Sequence, residues 1–136
     1  MNFYVDKIKN NGLKVTPRRK AIINIFNHCR VHLTPEDIFT RLKEEFSHCG
    51  LPSVYRNLEI LAECGILARI YRFDNKRYYG LCHSADGAHH HHIICIKCGT
   101  IAPLKGCNLF KRKKINGFKI IDHFIQVDGI CKNCQE

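Results

Sequence analysis

Two Cys-x-x-Cys pairs restrict the folds open to this chain more than any other feature of its sequence. CIKC occupies residues 95–98 and CKNC occupies residues 131–134. Four thiolates in two such pairs complete a tetrahedral zinc site that is closed to water and therefore structural. A redox dithiol is the alternative, but the βαβ pattern expected around it is missing. The predicted structural Zn²⁺ ligands are Cys95, Cys98, Cys131 and Cys134.

The composition is typical of a folded cytoplasmic protein. The chain has 136 residues, and a hydrophobic fraction of 45% is enough to fill a core. No apolar run approaches the ~20 residues of a membrane span, and the N-terminus lacks the apolar core of a signal peptide. In a reducing compartment, the nine cysteines favour metal binding over disulfides.

The charge favours an anionic partner. Net charge is +10, with 22 Lys+Arg against 12 Asp+Glu. Nucleic acid is the first partner to consider, and solubility alone is the alternative. An enzyme would need an open metal position and a general base, and the H-x-E signature of zinc deaminases is absent. We therefore expect no enzymatic activity.

The first eighty residues carry three helix signatures and a hairpin signature. TPRRKAIINIF at 16–26 and TPEDIFTRLKEEF at 34–46 each open with Thr-Pro and continue with apolar residues at helical spacing. GLPSVYRNLEILAECG at 50–65 predicts a third helix. Segments rich in β-branched and aromatic residues then flank the dipeptide at 74–75, which predicts a hairpin. Together these elements describe a winged helix-turn-helix, which places one helix in the DNA major groove.

The third helix is the predicted reader of DNA bases. Polar and cationic side chains cluster near its start, where a reading helix meets base edges and phosphates. A solvated helix face is the alternative for these residues. Two basic residues near the first helix are predicted to contact phosphates. The predicted DNA-binding residues are Lys14, Arg19, Ser53, Tyr55, Arg56 and Asn57.

Four consecutive histidines precede the first cysteine pair and predict further metal sites. If this segment is a strand, alternation sends His89 and His91 to one face and His90 and His92 to the other. His90 and His92 would join Cys82, a soft ligand suited to zinc. The second predicted set is His89, His91, His123 from a later strand, and Cys107.

These pieces together resemble the ferric uptake regulator family of bacterial metal-dependent repressors over nearly the whole chain. The matching segments are GLKVTPRR, HLTPEDIFTRL, PSVYRNLEILAECGIL, HHHHIICIKCG and DHFIQVDGICKNC. The resemblance implies a homodimer that binds AT-rich inverted repeats in promoter DNA. It also implies a regulatory metal at the hinge between domains, which closes the dimer onto DNA and represses uptake or stress genes.

The expected fold class is therefore α+β with two domains. Residues 1–82 would form a winged-helix DNA-binding domain with its hinge. Residues 83–136 would form a small α/β metal-binding and dimerisation domain that contains the four-cysteine zinc site.

The sensory segment resembles the zinc uptake regulator branch most closely. Iron and peroxide sensors of the family end the wing with an acidic ligand, whereas this chain has Tyr79 and Gly80 there. The following LCHSAD instead implies that Cys82 joins the two histidines. Ala68 and Pro103 occupy the places of further ligands in that branch.

The remaining sensory ligand is expected from one of two histidines. His32 matches a sensory histidine of the iron-sensing branch, and His83 is the alternative. The expected function is a metal-responsive repressor with Zn²⁺ or Fe²⁺ as its regulatory ion. Two alternatives stay open: an iron- or peroxide-responsive regulator of the same family, and a structural zinc-binding adaptor. In the adaptor, KRKK at 111–114 would be the nucleic-acid patch.

Overall fold

The computed structural model describes residues 2–29, 32–72, 74–82, 91–104 and 113–135. The chain divides into two compact units, Met1–Gly87 and Ala88–Glu136. The boundary expected after residue 82 falls beside residues 83–90, which are outside the described ranges. No helix in the described part of the chain is long and apolar enough to cross a membrane.

The first unit begins with four helices. Their bounds are α1 Asn2–Asn10, α2 Pro17–His28, α3 Pro35–Leu42 and α4 Leu51–Glu63. Thr16 caps α2 by accepting from the Arg19 N–H, and Thr34 forms a capping box with Asp37 at the start of α3. The three helices predicted from the sequence are α2, α3 and α4.

The helix α1 was not predicted, because no capping residue or proline marks its start. Tyr4 and Ile8 lie one turn apart and are buried in the core. Gly12, with a φ of 73°, then turns the chain away from the helix. Lys7 is also buried, and its ammonium donates to the Gly65 carbonyl over 3.1 Å.

The helix α3 is shorter than expected. It ends at Leu42, whereas the apolar spacing predicted that it would reach Phe46. The Phe46 N–H still donates to the Leu42 carbonyl over 2.8 Å, and the ring packs against the core. The spacing therefore predicted the packing of Phe46 correctly but not the end of the helix.

The helices share one hydrophobic core. Apolar side chains from α1 to α4 and from the following hairpin are buried there, and sequence spacing predicted this for α2, α3 and α4. The largest of them are Ile8, Ile22, Ile23, Phe26, Ile38, Leu42, Leu58, Leu61, Ile66 and Tyr79.

The predicted hairpin is present and completes a winged-helix unit. Strands β1 Leu67–Tyr71 and β2 Arg77–Leu81 pair antiparallel. Asn75 adopts a φ of 62° in the connection, a conformation that asparagine tolerates well. An isolated bridge from Leu33 to Tyr79 attaches the segment before α3 to the hairpin.

The second unit is built from short strands. Their bounds are β3 His91–Cys95, β4 Ile101–Leu104, β5 Lys114–Ile115, β6 Phe118–Lys119 and β7 Gln126–Gly129. A three-stranded sheet has the order β4-β3-β7, in which β3 pairs antiparallel with β4 and parallel with β7. No helix lies among the described residues of this unit, and residues 105–112 are outside them.

Candidate metal centre and nucleic-acid interface

The parallel pairing of β3 and β7 brings the two cysteine pairs together. Cys95 at the end of β3 pairs with Gly129 at the end of β7, so the chain leaves both strands at the same edge. A tight turn follows Cys95, in which the Gly99 N–H donates to the Cys95 carbonyl over 2.9 Å and Gly99 adopts a φ of 79°. Cys131 begins the equivalent turn after β7.

The four sulfurs have the spacing of a metal site. The Sγ atoms of Cys95, Cys98, Cys131 and Cys134 all lie within 4.8 Å of one another. The Cys98 and Cys131 sulfurs are 3.6 Å apart. Sulfurs bound 2.3 Å from one tetrahedral zinc ion would be about 3.8 Å apart. The cluster therefore fits a structural zinc ion in both its donor set and its spacing.

Backbone donors prepare one of these sulfurs for ionisation. The N–H groups of Cys131 and Cys98 donate to the Cys95 Sγ over 3.3 and 3.5 Å. These hydrogen bonds lower the pKa of the Cys95 thiol to about 6. The Thr100 hydroxyl lies 3.0 Å from the Cys98 sulfur and lowers the pKa of that thiol as well.

The last thiol of the cluster resists ionisation. Hydrogen bonding to the sulfurs of Cys131 and Cys98 raises the pKa of Cys134 to about 12. Four thiolates this close repel one another, and a divalent cation compensates that repulsion. The cluster thus favours a bound metal ion over four free thiolates.

Two predicted sensory residues are buried in the first unit. Cys82 follows β2, is 2% exposed, and donates its N–H to the Ile66 carbonyl over 2.9 Å. His32 is 7% exposed and directly precedes the Leu33 bridge to β2. This bridge places both residues on adjoining segments of one unit.

The other predicted sensory residues belong to the second unit or to undescribed segments. His92 is half-buried on β3. His90 and the alternative ligand His83 lie outside the described residues.

The acidic ligand was expected at residues 79 and 80, and both of these residues lie in the buried part of the hairpin. Tyr79 is fully buried, and burial raises the pKa of its phenol. Gly80 has no side chain, and it pairs across the hairpin with Ala68, which is also buried. These three residues offer no carboxylate at the end of the wing.

The contact between Arg72 and His32 was not predicted from the sequence. Arg72 Nη2 lies 3.2 Å from His32 Nδ1, and the guanidinium lies over the Tyr78 ring, 4.6 Å from the ring centroid. Forty positions separate His32 from Arg72, so no local pattern signals the contact.

The second predicted set of ligands is partly assembled. The rings of His91 and His123 lie 4.8 Å apart, centroid to centroid. The Ile125 N–H donates to His91 Nδ1 over 3.3 Å, so a neutral His91 carries its proton on Nε2. The expectation that His123 lies on a strand was wrong, because β7 begins only at Gln126. His89 and Cys107 lie outside the described residues.

The predicted DNA-binding residues form one connected surface. Arg19 donates from Nε to Asn57 Oδ1 over 3.1 Å and from Nη1 to the Lys14 carbonyl over 2.6 Å. Asn57 in turn donates to the Ser53 carbonyl over 3.1 Å. Ser53 accepts from Arg18 over 3.3 Å, an additional cation that the sequence prediction missed. The start of α2 and the first turns of α4 thus present their polar groups side by side.

Tyr55 and Arg56 extend this surface along α4. Both are exposed. The Tyr55 hydroxyl donates to Glu36 Oε1 over 2.7 Å, and this hydrogen bond raises the pKa of the phenol. Glu36 therefore holds the tyrosine side chain in place beside α4.

One carboxylate joins the wing to α4. Glu59 on α4 accepts from Arg69 over 2.7 Å and from Arg77 over 2.8 Å, and all three side chains are partly exposed. This three-residue contact was also not predicted from the sequence. Because it joins α4 to both strands of the hairpin, it sets the orientation of the wing relative to the helix.

Comparisons with known proteins agree with this architecture. A model of the ferric uptake regulator family matches residues 10–128. The ferric uptake regulation protein of Neisseria meningitidis serogroup A is 35% identical over 136 residues, which cover 96% of this chain and 92% of that protein. The solved structure of the ferric uptake regulator from Francisella tularensis with iron is 34% identical, with a TM-score of 0.52, and the match covers 92% of this chain and 96% of that chain.

A further solved structure shares the fold at lower identity. It is a zinc uptake regulator complexed with zinc and DNA, with a TM-score of 0.70 at 23% identity over 93% of this chain and 87% of that chain. The match of the family model and the identity to curated relatives confirm the resemblance predicted from the sequence. This chain therefore belongs to the ferric uptake regulator family of metal-responsive transcription regulators, which bind DNA, typically as dimers.

Proposed function

We propose that this chain is a zinc-responsive repressor, which binds promoter DNA as a homodimer when its regulatory metal is bound. The observation that carries the proposal is the buried thiol of Cys82, which follows a strand with no carboxylate at positions 79 and 80, where the acidic ligand was expected. Thiolate and imidazole ligands suit zinc, whereas Fe(II) and Mn(II) favour sites with oxygen ligands. The regulatory ligands in this proposal are Cys82, His32, His90 and His92.

A second zinc ion has a structural role in the proposal. The four clustered sulfurs of Cys95, Cys98, Cys131 and Cys134 would hold it. Such a site is filled before the regulatory site, because four thiolates bind zinc more tightly than a mixed set. The pair formed by His91 and His123 would bind metal last, because the Ile125 N–H already occupies His91 Nδ1.

An iron-responsive regulator is the second candidate function. It is favoured by the names of the curated relatives at 35% identity, which are ferric uptake regulation proteins. His32 is the residue that this alternative would retain in the sensory site. The absent carboxylate at Gly80 argues against it.

The DNA-binding role is supported by the polar surface along α2 and α4. Lys14, Arg19, Ser53 and Asn57 form its connected part, and the exposed Arg56 extends it. Residues 1–80 contain 14 Lys+Arg and 8 Asp+Glu, which favours attraction to the phosphate backbone. The proposed operator is an inverted repeat, because a symmetric dimer presents two reading helices to two half-sites. Its AT-rich composition is what the resemblance to the family implies.

The direct test is metal-dependent DNA binding under anaerobic, reducing conditions. Protein with its structural site filled is titrated with Zn²⁺, Fe²⁺ or Mn²⁺ in the presence of labelled promoter DNA and of a scrambled duplex. A zinc repressor gains sequence-specific affinity with Zn²⁺. A structural adaptor binds both duplexes alike with or without added metal, and that result would contradict the proposal.

Replacing Tyr55 by Phe and Arg56 by Ala together is expected to weaken operator binding and relax sequence preference. Each lost base contact costs about 1–3 kcal/mol of discrimination. Competition between operator and scrambled duplex measures the effect. In the matched control, Lys14→Gln should weaken the binding of both duplexes equally. It should also reduce the slope of log affinity against log salt concentration by about one. If the double variant keeps its sequence preference, the reading residues lie elsewhere.

Replacing Ile121 by Asp is expected to convert the homodimer to a monomer. In the single chain, Phe118, Ile121 and Ile130 of the second unit are exposed, with Ile121 at 84%. Large apolar side chains left exposed in one small unit are typical of an interface with another protein surface. Sedimentation velocity measures the change, and Lys119→Glu serves as the charge control. A dimer that persists in the Ile121 variant would place the interface on other residues.

A further inference from the structure

The guanidinium of Arg72 contacts the imidazole of His32, which we propose as a regulatory ligand. Its Nη2 lies 3.2 Å from His32 Nδ1. A guanidinium is always protonated and can only donate hydrogen bonds. His32 Nδ1 must therefore accept, and the ring is neutral with its proton on Nε2.

This contact leaves neither nitrogen of His32 open to a metal ion. The lone pair of Nδ1 is engaged by Arg72, and Nε2 carries the proton. Coordination through Nε2 would move that proton to Nδ1, where Arg72 presents another N–H. Coordination through Nδ1 would place the metal where the guanidinium now lies. Either mode therefore requires Arg72 to leave His32.

Arg72 belongs to the wing and is held there by a neighbouring ring. It directly follows β1, is exposed, and stacks on Tyr78 of the neighbouring strand. The wing carboxylate of Asp74 already accepts from the Tyr78 hydroxyl over 2.5 Å and from the Lys76 N–H over 3.1 Å. A guanidinium released from His32 would thus be a cation on the wing, close to where a winged helix meets the DNA backbone.

We propose that Arg72 competes with the regulatory metal for His32, and that metal binding transfers its guanidinium from His32 to a DNA phosphate. The inference rests on the proposed function, because it takes His32 as a metal ligand. It makes the two binding events reciprocal: metal at His32 frees Arg72 for DNA, and a phosphate that draws Arg72 away opens His32 to metal. Arg72 thereby sets the metal concentration at which the regulator responds.

The test compares Arg72→Gln with Lys76→Gln, which removes a charge from the same wing without contacting His32. Zinc affinity of the regulatory site is measured by chelator competition in protein whose structural site is filled. The Gln amide oxygen can accept a hydrogen bond from Nδ1–H, so Arg72→Gln is expected to bind Zn²⁺ about tenfold more tightly. Lys76→Gln should leave the zinc affinity unchanged. Zinc-saturated Arg72→Gln should also bind operator more weakly, with a salt slope reduced by about one.

Three results separate the inference from the proposed function. If His32→Ala lowers zinc affinity but Arg72→Gln leaves it unchanged, the competition is wrong and the ligand set stands. If His32→Ala has no effect on zinc affinity, the competition and the assignment of His32 as a ligand are both wrong, while the zinc-responsive function is not overturned. If Arg72→Gln tightens zinc binding without changing the salt slope, the transfer to phosphate is wrong.

A measurement on the unaltered chain checks the geometry directly. Nitrogen NMR of ¹⁵N-histidine-labelled protein distinguishes the two tautomers, with His32→Gln used for assignment. Metal-free protein should show His32 with its proton on Nε2, and a proton on Nδ1 would overturn the proposal.

Discussion

Replacing Cys95 by Ser is expected to unfold the second unit and abolish tightly held zinc. The Cys95 sulfur accepts two backbone N–H groups and lies within 4.8 Å of the other three sulfurs. The strands of this unit are short and leave large apolar side chains exposed. Its stability would therefore depend on the metal, and structural zinc contributes about 10–16 kcal/mol of binding free energy in small domains. Zinc content and hydrogen exchange of the β3 and β7 amides measure the loss.

Two controls define this result. Cys29→Ser changes a half-exposed cysteine of the first unit and should leave the zinc content unchanged. Stripping zinc from the unaltered chain with a strong chelator should reproduce the Cys95→Ser phenotype. A variant that keeps native exchange protection in β3 without bound zinc would rule out a structural role for the site.

Replacing Cys82 by Ser is expected to lower the zinc affinity of the regulatory site at least a hundredfold and to remove zinc-activated DNA binding. A serine hydroxyl is a poor ligand for zinc, and even partners of metal ligands contribute 10- to 100-fold to affinity. Cys82→Asp should restore metal-activated DNA binding with a preference shifted toward Fe²⁺ and Mn²⁺, because a carboxylate is a harder ligand. Titrating operator affinity with each metal measures both changes.

Cys49→Ser is the matched control for the sensor. Cys49 is a buried cysteine of the same unit and belongs to none of the proposed sites. It should keep the zinc response. If Fe²⁺ activates the unaltered chain and Cys82→Ser equally, while Zn²⁺ at matched occupancy does not, the iron-responsive alternative with His32 in the site replaces the zinc proposal. Loss of DNA binding on mild peroxide treatment, reversed by reductant, would instead indicate redox sensing by a cysteine.

The winged helix was predictable because its signals are local. Thr16 and Thr34 cap helices whose apolar faces repeat every three to four residues, and Asn75 accepts the left-handed conformation of the hairpin connection. Each of these residues acts on backbone groups only a few positions away in the sequence. The helix α1 was missed because no capping residue marks its start, and its nine residues are too few for the apolar spacing alone to predict a helix.

The sequence predicted which cysteines form the metal centre, but it did not predict which strands bring them together. The Cys-x-x-Cys spacing identifies four ligands from the sequence because each pair forms within one tight turn. Their meeting depends on the parallel pairing of β3 with β7, strands separated by about thirty residues. Alternation along β3 predicted opposite faces for His91, which is buried, and His92, which is half-buried, and it could not predict that His123 lies before β7 rather than on a strand.

By itself, the sequence determined the starts of α2, α3 and α4, the wing, the four cysteines of the cluster and the family, since each is encoded in residues close together in the chain. Only the tertiary structure decided which distant side chains meet. Arg72 reaches His32 across forty positions, Tyr55 reaches Glu36 across nineteen, and Glu59 receives two wing arginines. These contacts depend on how helices and hairpin pack around one core, because packing fixes which exposed or half-buried groups lie within hydrogen-bonding distance.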